Sequence, residues 1–178
     1  SPPLGDRPLT VGMFYPAHHR KNLFAQCLAV RIALTHGYRL KLITNFRPPI
    51  DLAADVRSWM PRGVYEQVLH QIRLNLHVTV TESFGYQVVD ALLHGAPSIV
   101  SGCVAENLFS LGGNYTPDRN FGVIRDFEDV PGIATAIAEL VMYPDGLTAL
   151  WYRQTKALTV LAVDHRDRLQ ILLSTLVD

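Results

Sequence analysis

Two carboxylates eight positions apart are the residues of this sequence best suited to chemistry. Glu82 stands at the end of a predicted strand, and Asp90 lies in the helix that is predicted after the next turn. A carboxylate at the rim of a ligand site accepts hydrogen bonds from sugar hydroxyls, which is the role expected of Glu82. Asp90 is about a turn along the predicted helix, where it would reach a ribose diol. The alternatives are a helix-capping role for Glu82 and a solvated surface position for Asp90.

The residues between these carboxylates predict an anion site. Ser83, Phe84 and Gly85 form a turn, and glycine lets the backbone approach a ligand closely. The amide groups of Tyr86 and Gln87 then open a helix and point at an anion, with the helix dipole behind them. The stretch therefore predicts a seat for a diphosphate.

A basic pair in the first strand-to-helix loop predicts the cations of that seat. Arg20 and Lys21 are adjacent there, and this location favours phosphate binding over the ordinary solvated role of a surface pair. The seven histidines show no metal-ligand spacing, and the adjacent His18 and His19 are expected to be exposed. The sequence therefore predicts no metal and no cofactor.

The composition bounds the remaining possibilities. A chain of 178 residues is the size of one domain, so residues 1–178 are expected to form a single unit. Lys+Arg and Asp+Glu each total 16, which gives no net field to attract nucleic acid or an anionic membrane surface. Apolar runs stay well short of the roughly 20 residues that span a bilayer. Cys27 and Cys103 form no C-x-x-C motif, so both are expected to be reduced thiols. The protein is accordingly expected in the cytoplasm, either free or peripherally attached to a membrane.

The elements that must position these residues alternate between strand and helix. Predicted strands cover residues 9–15, 39–45, 77–81, 97–101 and 121–125, and predicted helices cover 23–33, 51–59, 64–74, 86–93, a helix that begins at Pro131, and 134–176. This order predicts an α/β fold with a Rossmann-like, doubly wound parallel sheet. Ligands of such sheets bind at the carboxyl ends of the strands, where the loops above lie. Trp59, Tyr65 and Trp151 are expected in the core.

The run 81–101 resembles the signature of the retaining glycosyltransferases of the GT-B fold, the family that contains glycogen, sucrose and mannosyl transferases. The matching positions are Glu82, Phe84, Gly85, Asp90, Ala91, Gly95 and Pro97. The resemblance extends over about residues 9–145. Residues 11–12 and 20–23 are similar to the family's first strand and basic loop. Glu106 falls where an acidic residue follows the strand that corresponds to 97–101. Residues 120–137 are similar to the strand and helix that precede the last helices. It is the C-terminal, donor-binding domain of the family that is similar.

The resemblance implies one half of a GT-B hexosyltransferase that acts in carbohydrate biosynthesis. The domain would bind a nucleoside diphosphate sugar, with the sugar beside Glu82, the diphosphate on Arg20 and Lys21, and the base and ribose near Asp90 and Glu106. The sugar would be transferred with retention and without a metal. The acceptor-binding domain would come in cis or as a separate subunit, so this chain alone is expected to be inactive.

Three departures from the family pattern leave a non-catalytic alternative open. Met13 stands where arginine is usual, Asp90 is one methylene shorter than the usual glutamate, and Val80-Thr81 replaces Pro-Ser. A degenerate module that binds a nucleotide or a protein would tolerate them. Other classes lack their motifs: the chain has neither the G-x-G-x-x-G of dehydrogenases after the first strand nor a P-loop G-K-[ST] nor a hydrolase G-x-S-x-G.

Overall fold

The structure is a computed structural model, and it describes residues 10–14, 19–82, 84–110 and 122–177. The strands are β1 (Thr10–Met13), β2 (Lys41–Thr44), β3 (Asp55–Val56), β4 (Leu74–His77), β5 (Ser98–Ser101) and β6 (Val123–Ile124). The α-helices are α1 (Leu23–Thr35), α2 (Arg62–Leu69), α3 (Tyr86–Leu93), α4 (Gly102–Phe109), α5 (Val130–Met142) and α6 (Pro144–Val177), and a 3₁₀ turn covers His19–Lys21.

These strands form one sheet in the order β3-β2-β1-β4-β5-β6, and every pairing is parallel. The predicted Rossmann-like, doubly wound fold is therefore confirmed. From β1 the next strands are added toward one edge of the sheet (β2, β3), and from β4 they are added toward the other edge (β5, β6). The switch point therefore lies between β1 and β4, which pair directly at Val11 and Leu74. Open α/β sheets bind ligands at this switch point, outside the carboxyl ends of the strands. The loops after β1 and β4 are the ones that the sequence singled out.

Both faces of the sheet are covered, which explains why its strands are apolar runs. All four residues of β1, β4 and β5 are buried. Helices α1 and α5 pack together on one face against residues such as Val11 and Met13. Ile43 packs on Leu69 and Ile72 in a separate cluster. The site thus rests on a rigid support.

Two helices begin or attach by identifiable polar contacts. The Asp129 carboxylate accepts a hydrogen bond from the Gly132 amide at 2.9 Å and so caps α5, with Pro131 in the first turn as predicted. On α6, the buried Gln154 side chain accepts from the Ser98 amide at 2.9 Å and donates to the Ser98 carbonyl at 2.7 Å. The Gln154 side chain thus makes the two hydrogen bonds that a neighbouring strand would make with Ser98, and it attaches α6 to β5.

Several predicted elements differ from the structure. The prediction of a helix over 51–59 is wrong, because this segment forms a loop and the two-residue strand β3. Strand β3 pairs with β2, and the Arg57 amide donates a hydrogen bond to the Thr44 carbonyl. The strand predicted over 77–81 lies at Leu74–His77, because α2 ends at Leu69. Trp59 is 86% exposed, so its predicted place in the core is also wrong. Helix α4 was not predicted.

In the part of the chain that the structure describes, no single helix is long and apolar enough to cross a membrane. One bent pair, 130–140 with 145–167, passes that test jointly by length and composition. Its first member belongs to α5, whose Ile133 and Ile137 are buried against the sheet.

Candidate functional site

The loops that follow β1 and β4 are joined at the switch point. The Val80 amide donates to the Arg20 carbonyl at 2.9 Å. Gln26, fully buried near the start of α1, donates to the Lys21 carbonyl at 2.7 Å and accepts from the Val78 amide at 3.0 Å. One side chain therefore ties the basic loop to the segment that leads into Glu82.

Three elements hold Glu82 in place. The Lys21 ammonium forms an ion pair with Glu82 Oε2. His77 Nε2, at the end of β4, lies 3.3 Å from the same oxygen. From α4, the Asn107 amide group donates to the Glu82 carbonyl at 3.2 Å. The carboxylate and its backbone are thus both fixed, although the side chain keeps 15% of its surface exposed.

These contacts keep Glu82 ionised. The hydrogen bond from His77 and the nearby Lys21 ammonium outweigh partial burial and lower the pKa of Glu82 from 4.5 to about 2. Burial lowers the pKa of His77, so its ring is neutral at pH 7 and donates the Nε2 hydrogen to the carboxylate. The site therefore presents an anion, Glu82, directly beside a cation, Lys21.

The start of α3 has the geometry expected of an anion seat. Gly85 precedes the helix in the left-handed region, with φ 80°. A Cβ at this position would lie 3.1 Å from Val104 Cγ1, so both conformation and space favour glycine. The first backbone hydrogen bond of the helix runs from the Val88 amide to the Gly85 carbonyl. The amides of Tyr86 and Gln87 precede it and lie at the end of the helix where anions bind.

A cleft of 320 Å³ extends from this helix. Among the described residues, its walls come from the ends of β1 and β2, the loop before α2, α2 and α3: Phe14, Asn45, Ser58, Trp59, Met60, Tyr65, Gln87 and Asp90. The structure therefore brings Asp90 and Gln87 to one cavity. Glu106 is exposed on α4, which contributes no described residue to the cleft.

The other predicted site residues are placed as follows. Arg20 is exposed in the 3₁₀ turn beside Lys21. Phe84 and Tyr86 lie together at the start of α3, with ring centroids 4.9 Å apart, and Tyr86 is 73% exposed. Ser83 and His18 lie outside the described residues. Met13 is fully buried, so its position adds no polar group to the site. Within the described ranges, no cluster of three or more His, Cys, Asp or Glu could hold a metal ion.

Three residues that organise the site were missed in the sequence. Gln26, His77 and Asn107 each contact the Lys21 or Glu82 segment. Gln26 carries a signal, because it is a polar residue within the apolar run 23–30, whereas His77 alternates with the polar Asn75 and Thr79 and is not distinguished by the pattern. Asn107 carried none, because its helix was not predicted.

Comparison with known proteins gives a fold and no close relative. No family model and no curated protein matches the sequence. Solved structures do match. A UDP-forming α,α-trehalose-phosphate synthase from Burkholderia vietnamiensis superposes with a TM-score of 0.70 at 12% identity, over 96% of this chain and 46% of its own. Trehalose-6-phosphate synthase OtsA superposes with a TM-score of 0.68 at 10% identity, over 94% and 43%.

A third match comes from Escherichia coli, a trehalose-6-phosphate protein bound with UDP-2-fluoro glucose, with a TM-score of 0.67 at 11% identity over 94% of this chain and 44% of its own. The chain thus spans less than half the length of each of these structures. Another of the matched synthases is described as transferring a glycosyl group with retention. The resemblance to the retaining glycosyltransferases of the GT-B fold is confirmed in structure: this chain has the fold of one half of such an enzyme.

Proposed function

We propose that this chain is the donor-binding domain of a glycosyltransferase, which holds a nucleoside diphosphate sugar and transfers its sugar with retention. One observation carries the proposal: Lys21 and Glu82, a cation and an acceptor for sugar hydroxyls, lie side by side at the switch point of the sheet. The first residue of α3, Tyr86, is four residues beyond Glu82, and the cleft that contains Asp90 adjoins that helix.

The chemistry follows from what each group offers. When the nucleoside diphosphate leaves, negative charge develops on its phosphate oxygens. Lys21, Arg20 and the Tyr86 and Gln87 amides are donors for that charge, and donors placed where charge develops contribute most to the transition state. Glu82 holds the sugar through its hydroxyls and is the proposed catalytic residue. No step in this scheme requires a metal.

The cleft is the proposed seat of the nucleoside. Asp90 would accept hydrogen bonds from the ribose diol, while Phe14, Tyr65 and Trp59 supply aromatic surface for the base. Glu106 lies on another helix, next to Asn107, so the nucleoside seat rests on Asp90. The predicted place of Glu106 near the base and ribose stays a prediction.

The acceptor is proposed to bind to a second domain, in the same polypeptide or a separate subunit. The matched structures are more than twice as long as this chain. A transferase of this fold works in a cleft between two domains, so the isolated chain should bind the donor without transferring sugar efficiently. Robust transfer by the 178-residue chain alone would contradict this assignment.

Calorimetry with UDP-, GDP-, ADP- and dTDP-sugars, in the presence of a chelator, tests the proposal. At least one nucleotide sugar should bind, and at a hundred times its dissociation constant it should add about 2.7 kcal/mol to the free energy of unfolding. UDP-glucose is the first ligand to try, since one matched structure holds UDP-2-fluoro glucose. If none of the four binds, the chain is not a donor-binding domain.

The degenerate module remains the second candidate because of Met13. Its side chain is completely buried, so among the described residues the predicted cations of the seat are Arg20 and Lys21. A module of this kind would bind no nucleotide sugar, or would bind the free nucleotide and its sugar conjugate with equal affinity. The ratio of these two affinities therefore separates the candidates.

A further inference from the structure

Two donors of unlike mobility share one oxygen of Glu82. Lys21 reaches Oε2 from the 3₁₀ turn, and His77 approaches the same atom at 3.3 Å from the end of β4. The lysine side chain is 17% exposed, whereas the histidine side chain is fully buried. The two contacts therefore respond differently when a ligand arrives.

Lys21 is the donor that a diphosphate would attract. Its ammonium carries three hydrogens on a flexible four-carbon stem, so it can turn toward a phosphate oxygen and away from Glu82. Each such movement removes one of the two side-chain contacts that orient the carboxylate. Without another fixed donor, Glu82 would lose its orientation at the moment when the sugar has to be held.

His77 cannot move in this way. It lies within the sheet, where it pairs in register with Val100 of β5, and its side chain has no exposed surface. Its neutral ring keeps Nε2–H on the carboxylate whether or not Lys21 stays. Asn107 independently fixes the Glu82 carbonyl from α4, so the remaining freedom of Glu82 is that of its side chain alone.

We propose that His77 is a positioning residue, which keeps the Glu82 carboxylate oriented toward the sugar while Lys21 engages the diphosphate. The proposal rests on the function proposed above, and it assigns His77 no contact with substrate. It implies that the preference for a sugar conjugate over the free nucleotide depends on the Nε2–H of a residue that lies beneath the site.

Two amide variants of His77 test this directly. In His77→Gln, the amide nitrogen takes the place of Nε2 and can still donate to Glu82. In His77→Asn, the shorter amide takes the place of Nδ1 and cannot reach. Both are neutral and polar, so they match in the cost of burial. His77→Asn should lower the ratio of nucleotide-sugar to free-nucleotide affinity about tenfold, and His77→Gln should retain most of it.

A second measurement follows the contact itself. In the ligand-free protein, ¹³C titration of the Glu82 carboxyl should show a higher pKa in His77→Asn than in the parent chain, and little change in His77→Gln. In the double variant with Glu82→Gln, His77→Asn should cause no further loss of the affinity ratio, because the two residues act through one group. Thermal unfolding identifies a variant that fails to fold. In that case the pKa of the Glu82 carboxyl in the variant that does fold decides whether the His77 contact orients Glu82.

The outcomes separate this inference from the function beneath it. If Glu82→Gln lowers the affinity ratio and His77→Asn leaves it unchanged, the positioning role is overturned and the proposed function stands. Equal losses in the Gln and Asn variants would also overturn it, since the loss would not depend on the Nε2–H donor. If the parent chain binds no nucleotide sugar, both proposals fall.

Discussion

Lys21 and Glu82 form an ion pair although 61 positions separate them in the sequence. The pair exists because β1 and β4 are neighbours in the sheet and their following loops meet at its carboxyl edge. Gln26 fixes this meeting through bonds to the Lys21 carbonyl and the Val78 amide. The charges of Lys21 and Glu82 therefore compensate each other, and any anion that binds Lys21 has to compete with Glu82.

Lys21 and Glu82 should differ in which ligand they affect. Lys21→Ala removes a cation from the phosphates, which the free nucleotide and the sugar conjugate share, so both should bind more weakly by similar factors. Glu82→Gln should weaken only the sugar conjugate, by about 10- to 150-fold, because a lost hydrogen bond to a charged group is worth about 1.5–3 kcal/mol. Calorimetry with both ligands measures these factors.

Lys156→Ala, which removes an exposed lysine of α6, is the matched control and should change neither affinity. A Glu82→Gln variant that binds both ligands equally weakly, or as well as the parent chain, would assign Glu82 a structural role and place the sugar elsewhere.

Acid should destabilise the parent chain through Glu82. The pKa of this carboxyl is lowered from 4.5 to about 2 in the folded state, first by the His77 hydrogen bond and then by Lys21. A carboxyl with a depressed pKa contributes stability above its unfolded pKa and loses it as the pH falls through the folded value. The free energy of unfolding should therefore fall between pH 4.5 and about 2, and denaturant titrations across this window should show a shallower fall in Glu82→Gln.

Glu139→Gln, which replaces an exposed carboxylate of α5, should keep the parent slope over the same window. Parallel slopes in the parent chain and Glu82→Gln would mean that the contacts around Glu82 add nothing to stability.

Three glycine variants separate the backbone and packing requirements at the start of α3. Gly85→Ala has to adopt φ 80° and to accommodate Val104 Cγ1 at 3.1 Å from the new Cβ. Gly37→Ala adopts φ 87° with no atom within 4 Å, and Gly63→Ala meets neither obstacle. Gly37→Ala should cost about 1–2 kcal/mol, Gly85→Ala more than that, and Gly63→Ala nothing or a gain of about 0.4–1 kcal/mol.

Denaturant unfolding gives the order of the three stabilities. Gly85→Ala should in addition weaken diphosphate binding, whereas Gly37→Ala should not, because only Gly85 sets the direction of the α3 amides. Equal stabilities of Gly37→Ala and Gly85→Ala would show that the contact with Val104 relaxes without cost.

The fold was predictable because strand and helix patterns alternate along the chain. Helix α3 and strand β5 fall where the sequence predicted them, since glycine and proline mark their ends. The segment 51–59 was not predictable in this way. Its two-residue strand is formed by pairing with β2, a tertiary contact that no local pattern encodes, and the propensity of its residues misleads.

The candidate site was predictable in its loops and only partly in its contacts. Local periodicity places Asp90 correctly on a helix, whereas Glu82, predicted at a strand end, lies in the loop five residues after β4 ends. That Glu82 is held by Lys21 and His77 depends on which strands are neighbours, and that Glu106 lies apart from the cleft depends on the direction of α4. Both follow from the order of the sheet, which the sequence does not specify residue by residue.

Asp90 should act on the nucleoside and leave the phosphates unaffected. It lines the 320 Å³ cleft with Tyr65 and Trp59, a turn along α3 from the proposed diphosphate seat. Asp90→Asn keeps the shape of the side chain and removes its charge, so it should weaken binding of a nucleoside diphosphate about tenfold or more and leave inorganic pyrophosphate unchanged. Asp167→Asn, an exposed aspartate of α6, is the control and should affect neither ligand. Competition calorimetry with both ligands measures the two affinities on the same protein. If Asp90→Asn weakens pyrophosphate as much as the nucleotide, Asp90 acts through the start of α3, and if it changes neither, the nucleoside binds outside this cleft.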